Sequence, residues 1–174
     1  MTLANAITVL RIMTVPLLVV FLFAETEVAK YWAAALFLIA GVSDFLDGHL
    51  ARSRDEVSVF GKLADPLADK LIVLTTVFAL VKRSLVNSWL AIVLLVKEVV
   101  LILGGAWLFC IKRRVISASM PGKVAAVVLY AGIFLTILEL PLGQVLIAIG
   151  IGISLMAGAY YLFQALTGGT EKIG

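Results

Sequence analysis

Six long apolar runs, at about 6–24, 31–50, 58–81, 88–111, 122–140 and 142–166, set the strongest limit on what this chain can fold into. Each approaches or exceeds the roughly 20 residues that a helix needs to cross a hydrocarbon core. The runs are continuous rather than alternating, and a lipid-facing backbone must satisfy its own hydrogen bonds, so the expected fold class is all-α. Runs and connections together use nearly all of the 174 residues, which predicts one membrane domain, 1–174, with six transmembrane helices. Composition agrees, with 63% hydrophobic and 14% charged residues and a mean hydropathy of +1.14. An ordinary soluble domain is only about 45–50% apolar. The first run lacks the basic leader and small-residue cleavage site of a signal peptide and is expected to be retained.

The connections, at 25–30, 53–56, 82–87, 112–122 and Pro141, are short and carry charges or helix breakers, so neighbouring helices should run antiparallel. Counting Lys and Arg near helix ends orients them. With the N-terminus in the cytoplasm, that side collects Arg11, Arg52, Arg54, Lys112, Arg113, Arg114, Lys123 and Lys172, against Lys30, Lys82 and Arg83 opposite. A multi-pass cell-membrane protein with a cytoplasmic N-terminus is the expectation. The net charge of +3 therefore reports orientation and lipid headgroups, and nucleic acid is not an expected partner. Cys110 is the lone cysteine, so no intrachain disulfide can form. Gly150, Gly152, Ser154 and Gly158 would let the sixth helix approach a neighbour closely. Tyr31, Trp32, Trp89, Tyr160 and Tyr161 read as interfacial anchors.

Against this apolar background, six of the eleven acids fall between residues 44 and 69. Asp44 and Asp47 are three apart, so on a helix they share a face that Gly48 and Ala51 continue. Gly61, Asp65 and Asp69 are spaced by four and form a second stripe. Two antiparallel helices with a short connection would turn the stripes toward each other and gather four carboxylates near the cytoplasmic edge. An ionised carboxylate in lipid costs at least ~2.5–3.5 kcal/mol on the insertion scale, and like charges raise one another's pKa. Arg52, Lys62 and Lys70 lie within reach, but a hard divalent cation suits oxygen ligands better. With one histidine and one cysteine, a zinc site cannot be built, which leaves Mg²⁺ or Mn²⁺, as two ions about 3.5–4 Å apart that polarise a phosphoryl group. Gly48, Ala51 and Gly61 remove bulk beside the acids, Arg52 could fork onto a phosphate, and Pro66 is expected to kink the third helix.

The whole pattern, D-x-x-D-G-x-x-A-R, eight residues, G-x-x-x-D-x-x-x-D, runs from Asp44 to Asp69. It resembles the signature of the CDP-alcohol phosphatidyltransferases, with every fixed position matched. The Asn5-x-Ile7-Thr8-x-x-Arg11 opening and the six apolar runs extend the resemblance over essentially the whole chain. The resemblance implies a homodimeric enzyme that moves the phosphatidyl group of CDP-diacylglycerol onto an alcohol and releases CMP, with its active site facing the cytoplasm. It implies Asp44, Asp47 and Asp65 as metal ligands and Asp69 as general base, also able to touch metal. Gly48, Ala51, Arg52 and Gly61 would line the CDP site. The Ala-Asp-Pro-Leu-Ala-Asp-Lys context around Asp65 and the Gly122-Lys123 pair are most similar to the branch using glycerol-3-phosphate, which makes phosphatidylglycerol phosphate. Lys112, Arg113, Arg114 and Lys123 would supply cations for that acceptor. The sequence departs from this branch in its fourth run, where Lys97-Glu98 replaces an Arg-Glu pair and Gly104-Gly105 occupies the stretch of a later arginine. The branch that joins phosphatidylglycerol to CDP-diacylglycerol to give cardiolipin is the runner-up.

Other residues have plainer readings. Asp55 and Glu56 read as a solvated connection, and His49 points away from the aspartate stripe by helical geometry. Lys97 and Glu98 are either functional intramembrane charges or a structural pair. The 112–114 basic run serves topology, acceptor binding or both. Intramembrane acids also line cation or proton pathways in transporters. Against a transporter, these acids cluster on one helix pair and come with glycines and an arginine suited to phosphate.

Overall fold

The structure, a computed structural model, describes the backbone of residues 3–24, 26–54, 59–112 and 120–167, and the side chains of 13–24, 26–43, 70–103 and 120–160. Within these residues the chain is all-helical, as expected: α1 (Leu3–Phe23), α2 (Glu27–Arg54), α3 (Val59–Lys82), α4 (Ser88–Lys112), α5 (Met120–Ile137) and α6 (Leu142–Thr167). Each apolar run coincides with one helix. Among the described residues, Met120–Ile137 and Leu142–Tyr160 are long and apolar enough to cross a membrane. Pro66 does not end α3, which continues through it to Lys82.

The α3 and α5 helices end in the same way. Ser84 and Glu139 adopt left-handed φ values of 58° and 60°. Leu85 N–H donates to the Leu80 carbonyl and Ser84 N–H to that of Val81, both at 2.9 Å. Leu140 and Glu139 repeat this with the Leu135 and Thr136 carbonyls, also at 2.9 Å. These paired bonds satisfy the last carbonyls of a helix and turn the chain back sharply, which is why α5 stops at Ile137 rather than reaching residue 140. The two turns meet: Arg83 Nη2 lies 3.0 Å from Glu139 Oε1, and Gln144 Nε2 donates to the Leu85 carbonyl at 2.8 Å. The connections α3–α4 and α5–α6 therefore share one end of the bundle.

Inside, Leu18, Leu22, Phe37, Leu80, Ile133 and Ile147 form part of one buried cluster, and the Phe37 and Tyr130 rings stack with centroids 5.2 Å apart. The tightest seam lies between α5 and α6. A Cβ at Gly132 would stand 2.6 Å from the Ile147 backbone nitrogen, and one at Gly150 2.8 Å from that of Leu129. Of the small residues expected to admit a neighbour, Gly150 does so, whereas a Cβ at Gly152 would meet nothing within 4 Å. The outer surface is strongly apolar, with Val20, Ile39, Phe78, Leu103, Val127 and Met156 exposed. Water-soluble monomers rarely expose contiguous apolar surface beyond a few hundred Å². Tyr31, Trp32 and Trp89 are exposed near helix starts, as interfacial anchors require, and Tyr160 is exposed on α6.

Candidate active site

The sequence signature maps onto one helical hairpin. Asp44, Asp47, Gly48, Ala51 and Arg52 lie on the final turns of α2, and Gly61, Asp65 and Asp69 on the first half of α3. Both stripes are therefore carried by continuous helices, the condition on which the shared-face reading depended. Their side chains, with those of His49 and Lys112, lie outside the described residues, as do Asp55, Glu56, Arg113 and Arg114 altogether. The backbone fixes a register. Asp44 is ten residues from the end of α2 and Asp69 ten from the start of α3, about 15 Å along either axis at 1.5 Å per residue. Asp47 and Asp65 are seven and six residues from those ends, about 9–10 Å along each helix. Along the two helices the backbone positions thus fall in two levels, Asp44 with Asp69 and Asp47 with Asp65. Such an oxygen-only donor set fits Mg²⁺ or Mn²⁺.

The α2 helix ends at Arg54 and α4 at Lys112, each at the far end of a helix from the side that carries the Arg83–Glu139 turns. Lys112 closes α4, and Lys123 is exposed in the first turn of α5. Of the expected basic cluster, the backbone of Lys112 and the side chain of Lys123 are described.

One part of the site was not legible beforehand. Lys70, the residue after Asp69, forms an ion pair with Glu98 Oε2. Glu98 Oε1 also lies 2.5 Å from Lys97 Nζ, and Lys97 donates to Ser154 Oγ at 3.0 Å. Lys97 and Glu98 are 8% and 6% exposed, so both are buried charges. One chain of polar contacts thus joins α3, α4 and α6. Removing one member of a buried ion pair costs on the order of 3–5 kcal/mol, because the other is left uncompensated. Of the two readings for Lys97 and Glu98, the pairing is observed, and its partners are Lys70 and Ser154. A signal was present: Lys70 and Lys97 lie well inside the third and fourth runs, and Glu98 is the acid outside the signature that lies near the middle of a run. An acid and a lysine buried in such runs must find each other or a substitute.

The family model for CDP-alcohol phosphatidyltransferase matches residues 1–156. The chain belongs to the CDP-alcohol phosphatidyltransferase family. The match includes both halves of the aspartate hairpin and places the protein in a family of membrane enzymes. Among curated relatives, a "CDP-diacylglycerol--glycerol-3-phosphate 3-phosphatidyltransferase" of Rickettsia typhi is 35% identical over 96 residues, covering 55% of this chain and 54% of the relative. A "Probable phosphatidylglycerophosphate synthase" of Mycobacterium tuberculosis is 33% identical over 173 residues, covering 94% of this chain and 81% of the relative. A "Cardiolipin synthase (CMP-forming)" of Streptomyces coelicolor is 37% identical over 106 residues, covering 59% and 49%. The chain spans about half the length of the Rickettsia relative that it matches.

Proposed function

We propose that this phosphatidyltransferase moves the phosphatidyl group of CDP-diacylglycerol onto glycerol-3-phosphate, releasing CMP and forming phosphatidylglycerol phosphate for phospholipid synthesis. The observation that carries the reading is the intact signature on a continuous α2–α3 hairpin, in a chain similar to relatives bearing that activity's name. In this reading all six helices cross the bilayer, with the N-terminus and the hairpin opening in the cytoplasm. Helix lengths support it: α2 has 28 residues, about 42 Å, against a hydrocarbon core of about 30 Å. Its polar last turns then reach the headgroups, where a nucleotide diphosphate arrives from water while its acyl chains remain in lipid.

Asp44, Asp47 and Asp65, with Asp69 able to join them, would hold Mg²⁺ or Mn²⁺, in a pair. Metal there supplies positive charge to the diphosphate oxygens. Gly48, Ala51 and Gly61 leave room for the cytidine portion, and Arg52 grips a phosphate. Asp69 accepts the proton of the acceptor hydroxyl. That oxygen bonds to the lipid-side phosphorus as the bond from phosphorus to the CMP oxygen breaks, and the electron pair leaves with CMP. Lys112, Arg113, Arg114 and Lys123 attract and orient the acceptor's own phosphate. The enzyme works as a homodimer.

Cardiolipin synthesis is the second reading, supported by the similarity to the Streptomyces enzyme and by Lys97-Glu98 in place of an Arg-Glu pair. Purified protein incubated with CDP-diacylglycerol and, separately, glycerol-3-phosphate, phosphatidylglycerol, inositol phosphate or serine decides between them. CMP release with glycerol-3-phosphate alone is expected. Release with phosphatidylglycerol alone establishes the second reading, and no release with any acceptor overturns both.

A further inference from the structure

Lys70 and Asp69 are consecutive residues on α3, so whatever fixes one backbone position fixes the other. On a helix their side chains diverge by about 100°, so the two can serve different neighbours at once. Lys70 serves α4, through Glu98. Glu98 in turn is held by Lys97, and Lys97 by the Ser154 hydroxyl on α6. The Lys70–Glu98 and Lys97–Ser154 contacts are part-buried and each joins two helices, and a directed polar contact restricts sliding and rotation more than apolar packing does. Among the described side chains of α3, the Lys70 pair is an ionic link to another helix, the Arg83–Glu139 pair lying beyond the helix end. It lies next to the proposed base.

We propose that Glu98 is a positioning residue for phosphatidyl transfer: by anchoring Lys70 to α4 and, through Lys97, to Ser154 on α6, it sets the rotation and height of α3 at Asp69. This rests on the phosphatidyltransferase reading of Asp69. Glu98 touches neither substrate nor metal in this role. Its contribution is to hold the base at one distance from a hydroxyl whose attack tolerates little error. A misplacement of about 1 Å can cost on the order of a hundredfold in rate.

The test uses the full chain in nanodiscs with CDP-diacylglycerol and glycerol-3-phosphate, reading CMP release, KM for CDP-diacylglycerol and thermal unfolding. Glu98→Gln is expected to lower kcat roughly ten- to a hundredfold while KM for CDP-diacylglycerol stays near the wild-type value. Glu98→Asp, which keeps the charge with a shorter reach, is expected to give a kcat between those of wild type and Glu98→Gln. A folded Glu98→Gln protein with wild-type kcat overturns the proposal, as does a loss shared equally between kcat and KM. Should Glu98→Gln not fold, Glu98→Asp decides: a lowered kcat with KM for CDP-diacylglycerol near wild type supports the proposal, and a wild-type kcat or a loss shared equally between kcat and KM overturns it. A wild-type protein that releases no CMP removes the activity reading itself, and the proposal with it. Wild-type turnover matched by Glu98→Gln removes the proposal alone.

Discussion

Replacing Gly132 by alanine places a methyl group 2.6 Å from the Ile147 backbone nitrogen and 3.0 Å from the Gly143 carbonyl oxygen. Neither atom can swing aside as a side chain would. Ordinary contact begins at 3.4 Å, so α5 and α6 must separate by about 0.8 Å, within a seam that an overpacked core resists at ~1–3 kcal/mol. Alanine recovers about 0.8–1 kcal/mol of helix propensity, and a net loss of up to about 2 kcal/mol remains. For a chain of this size that lowers the melting temperature by up to roughly 8 °C. Gly152→Ala is the matched control, because its Cβ meets nothing within 4 Å. It keeps the propensity gain, and its melting temperature stays level or rises. Tryptophan fluorescence of detergent-solubilised protein during heating reads both variants against wild type. Equal melting temperatures for Gly132→Ala and Gly152→Ala would refute the packing account of the seam.

Two further outcomes bear on the chemistry. Asp69→Asn is expected to cut CMP release by about 10²–10⁴, the usual worth of a general base, while CDP-diacylglycerol still binds; wild-type turnover in that variant refutes the assignment. Excess chelator should stop the reaction, and Mg²⁺ or Mn²⁺ should restore it. Activity that persists in chelator contradicts the carboxylate-metal site.

Much of the architecture could be read directly from the residues, because in lipid every spanning segment must close its own backbone hydrogen bonds. Asp44 and Asp47, or Asp65 and Asp69, needed only helical spacing to be placed on shared stripes, and α2 and α3 supply the continuous helices. What escaped depends on relations between helices. The end of α5 at Ile137 follows from Glu139 adopting a left-handed turn, a conformation usually filled by glycine. Pro141 marked the break but not the residue where helix gives way to turn. The partners of Lys97 and Glu98 lie 57 and 28 residues away, and the rotation of α3, α4 and α6 decides that they meet. Gly150 and Gly152 look alike in a string of small residues, yet only the former faces α5.

The ion network also constrains how this protein is made. A charged side chain left alone at the centre of a bilayer costs ~2.5–3.5 kcal/mol on the insertion scale. Lys70 arrives with α3 before Glu98 exists to receive it, and Glu98 arrives beside Lys97 on α4. In the six-span reading proposed above, lodging these two helices in the membrane one at a time would be unfavourable, and they would gain by entering as a hairpin whose charges meet on arrival. Ser154 comes last, with α6, to complete the set around Lys97. In that reading, insertion and tertiary assembly, often treated as successive stages, would be coupled for this part of the chain.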